Sequence, residues 1–165
     1  MTMSTARRRP ALGFTLIELM VAVAVLAVIV SLASPSFRAL LEAQRMRSAA
    51  FDLMADLTLA RSEALKRGEI STPVTLTRDA SNATGRWESG WSVTVGAEVL
   101  SRKSAVGSGV AISGPATITF DRNGRASNLT NVARFAFTSS SAAHNRCISI
   151  DPSGRPKSST AVCPT

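Results

Sequence analysis

Residues Phe14 to Ser34 read FTLIELMVAVAVLAVIVSLAS, and this run limits what the chain can become more than any other feature. At about 1.5 Å per helical residue it is long enough to span the hydrocarbon of a bilayer. A helix apolar on every side has no place on the surface of a single small domain. Arg7, Arg8 and Arg9 precede it and hold its start on the cytoplasmic side. One residue breaks the pattern. Glu18 lies four residues inside the run, where an uncompensated carboxylate costs on the order of 2 to 3 kcal/mol, so it demands a cationic partner.

A cleaved secretory signal is one reading, with Ser31 and Ala33 as the small residues before a cut at Ser34; an acidic residue near the start of the apolar core argues against it. The other reading rests on Gly13-Phe14-Thr15-Leu16-Ile17-Glu18, which resembles the type III signal of type IV pilins and type II secretion pseudopilins. The resemblance implies that a prepilin peptidase cuts between Gly13 and Phe14 and methylates the new N-terminus. The domain plan is then a leader over 1–13, a hydrophobic membrane and filament helix over 14–35, and a periplasmic head over 36–165. It also implies a partner for Glu18, the α-ammonium of Phe14 in a neighbouring subunit, which would neutralise a second buried charge. Pro35 lies where pilin helices bend, as expected of a residue with no N–H and a clash with the preceding turn.

Beyond the apolar run, Phe37 to Arg67 contains no Gly or Pro. Leu53, Leu57, Ala60 and Ala64 recur at three- and four-residue spacing, with Phe51 and Met54 alongside. This predicts an amphipathic helix to about residue 67. Cations gather near its end, and Gly68 is the expected stop. From residue 70 the pattern changes to short β-prone runs, Pro73–Thr77, Trp91–Val95, Gly109–Ser113, Thr117–Phe120, Arg134–Thr138 and Cys147–Ile150, separated by Gly, Asn, Asp and Ser. Trp87 and Trp91 are expected in the core or at a sheet edge. The fold class is therefore α+β, pilin-like: a long N-terminal α-helix, hydrophobic in its first half, packed on a C-terminal antiparallel β-sheet head.

Cys147 and Cys163 are the only cysteines. Both lie beyond a segment that would be exported, and a disulfide suits an oxidising compartment. The single histidine, His144, leaves too few ligands for a metal site, and no nucleophile and base constellation exists, so neither an enzyme nor a metal or other cofactor is expected. Asp121, Asn123 and Gly124 match part of a calcium loop but lack its late bidentate acid.

The net charge is +8, of which a lost leader would remove Arg7 to Arg9 and leave +5. From Phe120 onward, Arg122, Arg125, Arg134, Arg146, Arg155 and Lys157 stand against Asp121 and Asp151. A surplus concentrated there either solubilises a face or attracts polyanions. Two similar turns follow apolar strands, Asp121-Arg122-Asn123-Gly124-Arg125 and Asp151-Pro152-Ser153-Gly154-Arg155, each fitting a type I turn.

These turns, after a long helix and a β-rich middle, resemble the GspH/FimT group of minor pilins and pseudopilins. FimT-like minor pilins carry a basic Gly-Arg-x-Arg element that contacts DNA, and this chain has Gly154-Arg155-Pro156-Lys157. Lysine in place of the second arginine keeps the charge and loses the planar fork. The element lies within the loop that a Cys147–Cys163 bond would close, which holds its cations together. Arg122, Arg125 and Arg146 are candidates for the same face. The implied partners are the prepilin peptidase, other major and minor pilins, the inner membrane, and the phosphate backbone of double-stranded DNA bound without sequence preference. The implied location is the bacterial inner membrane as a single-pass protein with a periplasmic head, and then a pilus, at its tip, or the cell surface. Two roles stay open: a minor type IV pilin in assembly and DNA uptake for natural transformation, and a GspH-like minor pseudopilin of a type II secretion system with no DNA role.

The two readings of the N-terminus differ in the mass of the mature chain. A mature chain starting at methylated Phe14 is expected, and a start at Ser34 would mean an ordinary signal peptide.

Overall fold

The computed structural model describes residues 14–68, 71–79, 86–141 and 144–164, apart from the side chains of 32–35. The chain forms two compact units, Met1–Phe37 and Arg38–Thr165. A single helix, α1 (Leu16–Arg67), contributes to both. The bend expected at Pro35 concerns a side chain outside the described residues.

In the first unit the apolar side chains from Leu16 to Val30 are exposed along the helix. Water does not tolerate such a surface, so lipid or other chains must cover it. Taken as straight segments, neither Leu16–Ser31 nor Ser36–Arg67 is by itself long and apolar enough to cross a membrane, and the two qualify only together.

The second unit contains every buried hydrophobic residue of the described chain. Ala43, Met46, Ala49, Ala50, Leu53, Leu57, Ala60 and Ala64 are all buried, and their spacing of three and four draws one stripe down α1. Five of the eight are alanines, which allows strands to approach the helix axis closely. Phe51 departs from the expectation and is 74% exposed. It stands two residues from Leu53, about 200° around the helix at 3.6 residues per turn, and so faces away from the core. The helix ends where expected. Gly68 has a φ of +62°, and its N–H donates to the Ala64 carbonyl at 3.1 Å, so a residue free of a Cβ closes the last turn.

Eight strands follow: β1 (Val74–Arg78), β2 (Trp91–Val95), β3 (Glu98–Lys103), β4 (Val110–Ser113), β5 (Thr117–Phe120), β6 (Ala133–Ser139), β7 (Asn145–Ile150) and β8 (Pro156–Ser159). They form two antiparallel four-stranded sheets, β3-β2-β1-β5 and β4-β6-β7-β8, where the sequence pattern pointed to one. In the first sheet Val95, Val74 and Phe120 share one cross-strand row, and Val93, Leu76 and Ile118 the next. All six are buried. On the opposite face Thr75 and Thr94 share a hydroxyl hydrogen bond of 2.8 Å. In the second sheet Phe135 pairs with Ile148 and Ile112 with Phe137, and these join the helix stripe and the first sheet in one cluster.

The two tryptophans lock the sheets to each other and to the helix. The Trp87 indole N–H donates to the Pro115 carbonyl at 2.8 Å, and that of Trp91 donates to the Asp56 carboxylate on α1 at 2.7 Å. The free edge of β5 is occupied as well. The Asn128 amide oxygen accepts the Thr119 N–H at 2.9 Å, and its amide nitrogen donates to the Thr117 carbonyl at 2.8 Å.

Leu57→Ala should cost roughly 2–5 kcal/mol, because it empties a fully buried site. Phe51→Ala should change stability by less than about 0.5 kcal/mol, because that ring is exposed. Urea midpoints of the two variants test the assignment of the helix faces.

Candidate functional site

Of the residues expected at the processing site, Gly13 lies outside the described residues, and Phe14 is 86% exposed at the start of the described chain. Glu18 has local partners that its sequence context did not advertise. Its Oε2 accepts from both the backbone N–H and the hydroxyl of Thr15, and its own N–H donates to Thr15 Oγ1, each at 3.3 Å. Thr15-Leu16-Ile17-Glu18 is therefore a capping box, in which side chains satisfy donors that the first helical turn leaves over. This places an anion at the positive end of the helix dipole.

The two Asp turns have the same construction. Phe120 bridges Ala126 across the first, and Ile150 pairs with Pro156 across the second. In each the Gly N–H donates to the Asp carbonyl, Gly124 to Asp121 at 2.8 Å and Gly154 to Asp151 at 2.9 Å. Each Asp Oδ1 accepts the N–H two residues on, that of Asn123 or Ser153, at 2.9 Å. The side chain of Asp121 also accepts the Arg125 N–H at 2.9 Å. Asp121 Oδ1 thus ties the first turn together from within. The Ser153 hydroxyl above all, with the Arg155 and Ser153 N–H groups and the nearby Lys157 charge, holds the Asp151 carboxyl below its ordinary range.

The turns are also stacked on each other. Ala126 N–H donates to the Pro152 carbonyl at 3.2 Å. Gly154, at φ +77°, faces the Gly124 carbonyl so closely that a Cβ would stand 2.1 Å from its oxygen. Gly124 in turn lies against Leu65 and Arg61 of α1, and its carbonyl accepts Arg61 Nε at 3.1 Å. Arg61, which helix position alone marks only as a charge near a C-terminus, anchors the paired turns to the helix.

The stacking brings Arg125 and Arg155 together, because each directly follows one of the apposed glycines. Arg122 sits in the first turn. All three are exposed, and among the described residues none of them forms a salt bridge. Lys157 belongs to edge strand β8, not to the turn. Ser149 pairs with both Lys157 and Arg134, so the two cations share a sheet face two strand spacings apart, about 10 Å. Cys147 and Cys163 are joined at an S–S distance of 2.00 Å, which ties β7 to the segment after β8. Arg146 is not part of this group. It pairs with Phe137 and lines clefts with Arg47, fourteen residues before Arg61 and so about 21 Å along α1.

A family model described as type II transport protein GspH matches residues 49–154, more than half of the chain. The chain belongs to the GspH family. A model of the prokaryotic N-terminal methylation motif matches residues 8–34, in agreement with the pilin-type signal around Gly13 and Phe14. No curated protein and no solved structure matches the chain. The GspH family is a structural, pilin-like one, and the motif implies prepilin peptidase processing and assembly with other pilins. The hydrophobic first half of its helix is consistent with anchoring in the inner membrane. The GspH match ends at Gly154, so Arg155 and Lys157 stand just past it.

Gly154→Ala should destabilise the head by roughly 2–4 kcal/mol, since it adds left-handed strain to a clash with backbone. Gly68→Ala is also left-handed, but has nothing within 4 Å of its Cβ position, and should cost only about 1 kcal/mol. Thermal melts of both variants provide the comparison.

Proposed function

We propose that this GspH-family protein is a FimT-like minor type IV pilin, which contributes to pilus assembly and captures DNA for uptake in natural transformation through its stacked basic turns. One observation carries the reading: two Asp-x-x-Gly-Arg hairpins lock together and present Arg122, Arg125 and Arg155 with no salt bridge to an acid among the described residues. Backbone rigidity removes most of the ordering entropy that a phosphate contact would otherwise cost. Guanidinium groups suit phosphate oxygens, and Lys157 and Arg134 extend the positive surface along the sheet. A set of this size gives weak, sequence-independent binding, on the order of 10⁻⁴ to 10⁻⁶ M, that falls steeply with salt.

On this reading residues 1–13 are a leader removed at Gly13, residues 14–35 are the membrane and filament helix, and residues 36–165 form the periplasmic head, displayed on a pilus or at the cell surface. Assembly requires Glu18 to exchange its capping contacts for the Phe14 ammonium of a neighbouring subunit. Little is lost in that exchange, because contacts of 3.3 Å are longer than typical hydrogen bonds.

The second reading, a minor pseudopilin of a type II secretion system, is favoured by the description of the matching family model. Deletion of the gene separates the two, since loss of transformation with secretion intact fits the first and the reverse fits the second.

For the DNA contact, Arg125→Ala with Arg155→Ala should weaken binding to a labelled duplex at low salt by at least tenfold. It should also reduce the slope of log affinity against log salt by about 2. Unchanged affinity and slope would overturn the role of the turns.

A further inference from the structure

Arg146 occupies an inward position of the second sheet, in register with buried Phe137 and two residues before buried Ile148. On this side Arg146 and Arg47 of α1 together line two clefts. One, of about 370 Å³, is completed by His144, Asn145 and Thr160 among others. The second, of about 640 Å³, is completed by Gln44, Ser48, Phe51 and Ser158 among others. Among the described residues no acidic side chain lines either cleft, and neither Arg47 nor Arg146 forms a salt bridge. Two like charges on the walls of the same clefts, with no acid among the described lining residues, leave a field that a bound anion relieves.

The second observation is Phe51. It is one helical turn beyond Arg47, at the spacing that puts side chains on one face, and it is 74% exposed. An aromatic face in water beside two cations and several hydroxyl and amide groups is the arrangement that stacks an unpaired base while its phosphates are held. A duplex keeps its bases stacked inside and offers nothing to this ring.

We propose that Arg47, Phe51 and Arg146 form a binding site for single-stranded nucleic acid, with the phosphates on the two guanidinium groups and a base on the Phe51 ring. The site is separate from the stacked turns and does not rest on their DNA role.

The test uses the full chain in micelles of an uncharged detergent and follows the fluorescence anisotropy of a labelled twenty-residue oligothymidylate. Arg47→Ala with Arg146→Ala should lower affinity at least tenfold and reduce the salt slope by about 1.4, the single-strand value for two contacts. Phe51→Ala should lower affinity about 5-fold or more, as expected for loss of one stacked base, yet leave binding of an abasic oligomer of equal charge within twofold. Arg125→Ala with Arg155→Ala removes phosphate contacts but no stacking group, so an affinity loss from Phe51→Ala that is seen with oligothymidylate and absent with the abasic oligomer belongs to this site and distinguishes its failure from that of the turns. Near-ultraviolet circular dichroism from buried Trp87 and Trp91 checks that each variant is folded. Oligothymidylate affinity unchanged by the Arg47 and Arg146 substitutions, or by Phe51→Ala, would overturn the proposal. So would equal affinity for polyglutamate, which would mark the surface as a seat for an acidic protein.

Discussion

The head depends on one stripe of side chains along α1. Eight residues from Ala43 to Ala64 are buried, and the seven from Met46 onward belong to the same hydrophobic cluster as the inward rows of both sheets. Neither sheet encloses a core by itself; each has one apolar face and must find a cover for it. The helix is that shared cover, and the small size of its alanines sets how near the strands can lie. Asp56 and Arg61 extend the same dependence to polar groups, because one holds the Trp91 indole and the other the carbonyl at the apex of the first Asp turn.

Features written in local periodicity were legible from the residues alone. The three- and four-residue spacing of Leu53, Leu57, Ala60 and Ala64 marks the buried stripe, Gly68 marks the helix end, and alternation marks β2 and β5. Strands β3 and β8 were not legible. Glu98-Val-Leu-Ser-Arg-Lys and Pro156-Lys-Ser-Ser are edge strands, and an edge carries polar residues and Pro because one side of its ladder faces outward. Division into two sheets was equally hidden, since strand partners are set by long-range packing. Phe51 was grouped with the core because it is apolar, although its angular position already contradicted that.

The candidate sites divide along the same line. Both Asp turns could be read from residue types, as could the tie between Cys147 and Cys163. That the turns stack, that Arg61 joins them, and that Arg146 lies with Arg47 are facts of tertiary structure with no local signal. At the N-terminus the reverse holds. The capping box of Thr15 and Glu18 is purely local, but it is overshadowed by the larger question of a carboxylate in an apolar run. The oxygen that caps the lone chain is the one that the filament reading gives to a neighbouring ammonium.

The stacked hairpins also bear on how sequences of this kind can drift. Gly154 occupies a place that the Gly124 carbonyl denies to any side chain, and Gly124 one bounded by Leu65 and Arg61 of α1, so a change at either one disturbs the stacked pair. The arginines beside them project outward and are free to vary with little effect on folding. A glycine-arginine signature at this place therefore reports two separate histories: its first letter records the architecture of the head, and only its second can record what the head has been selected to touch.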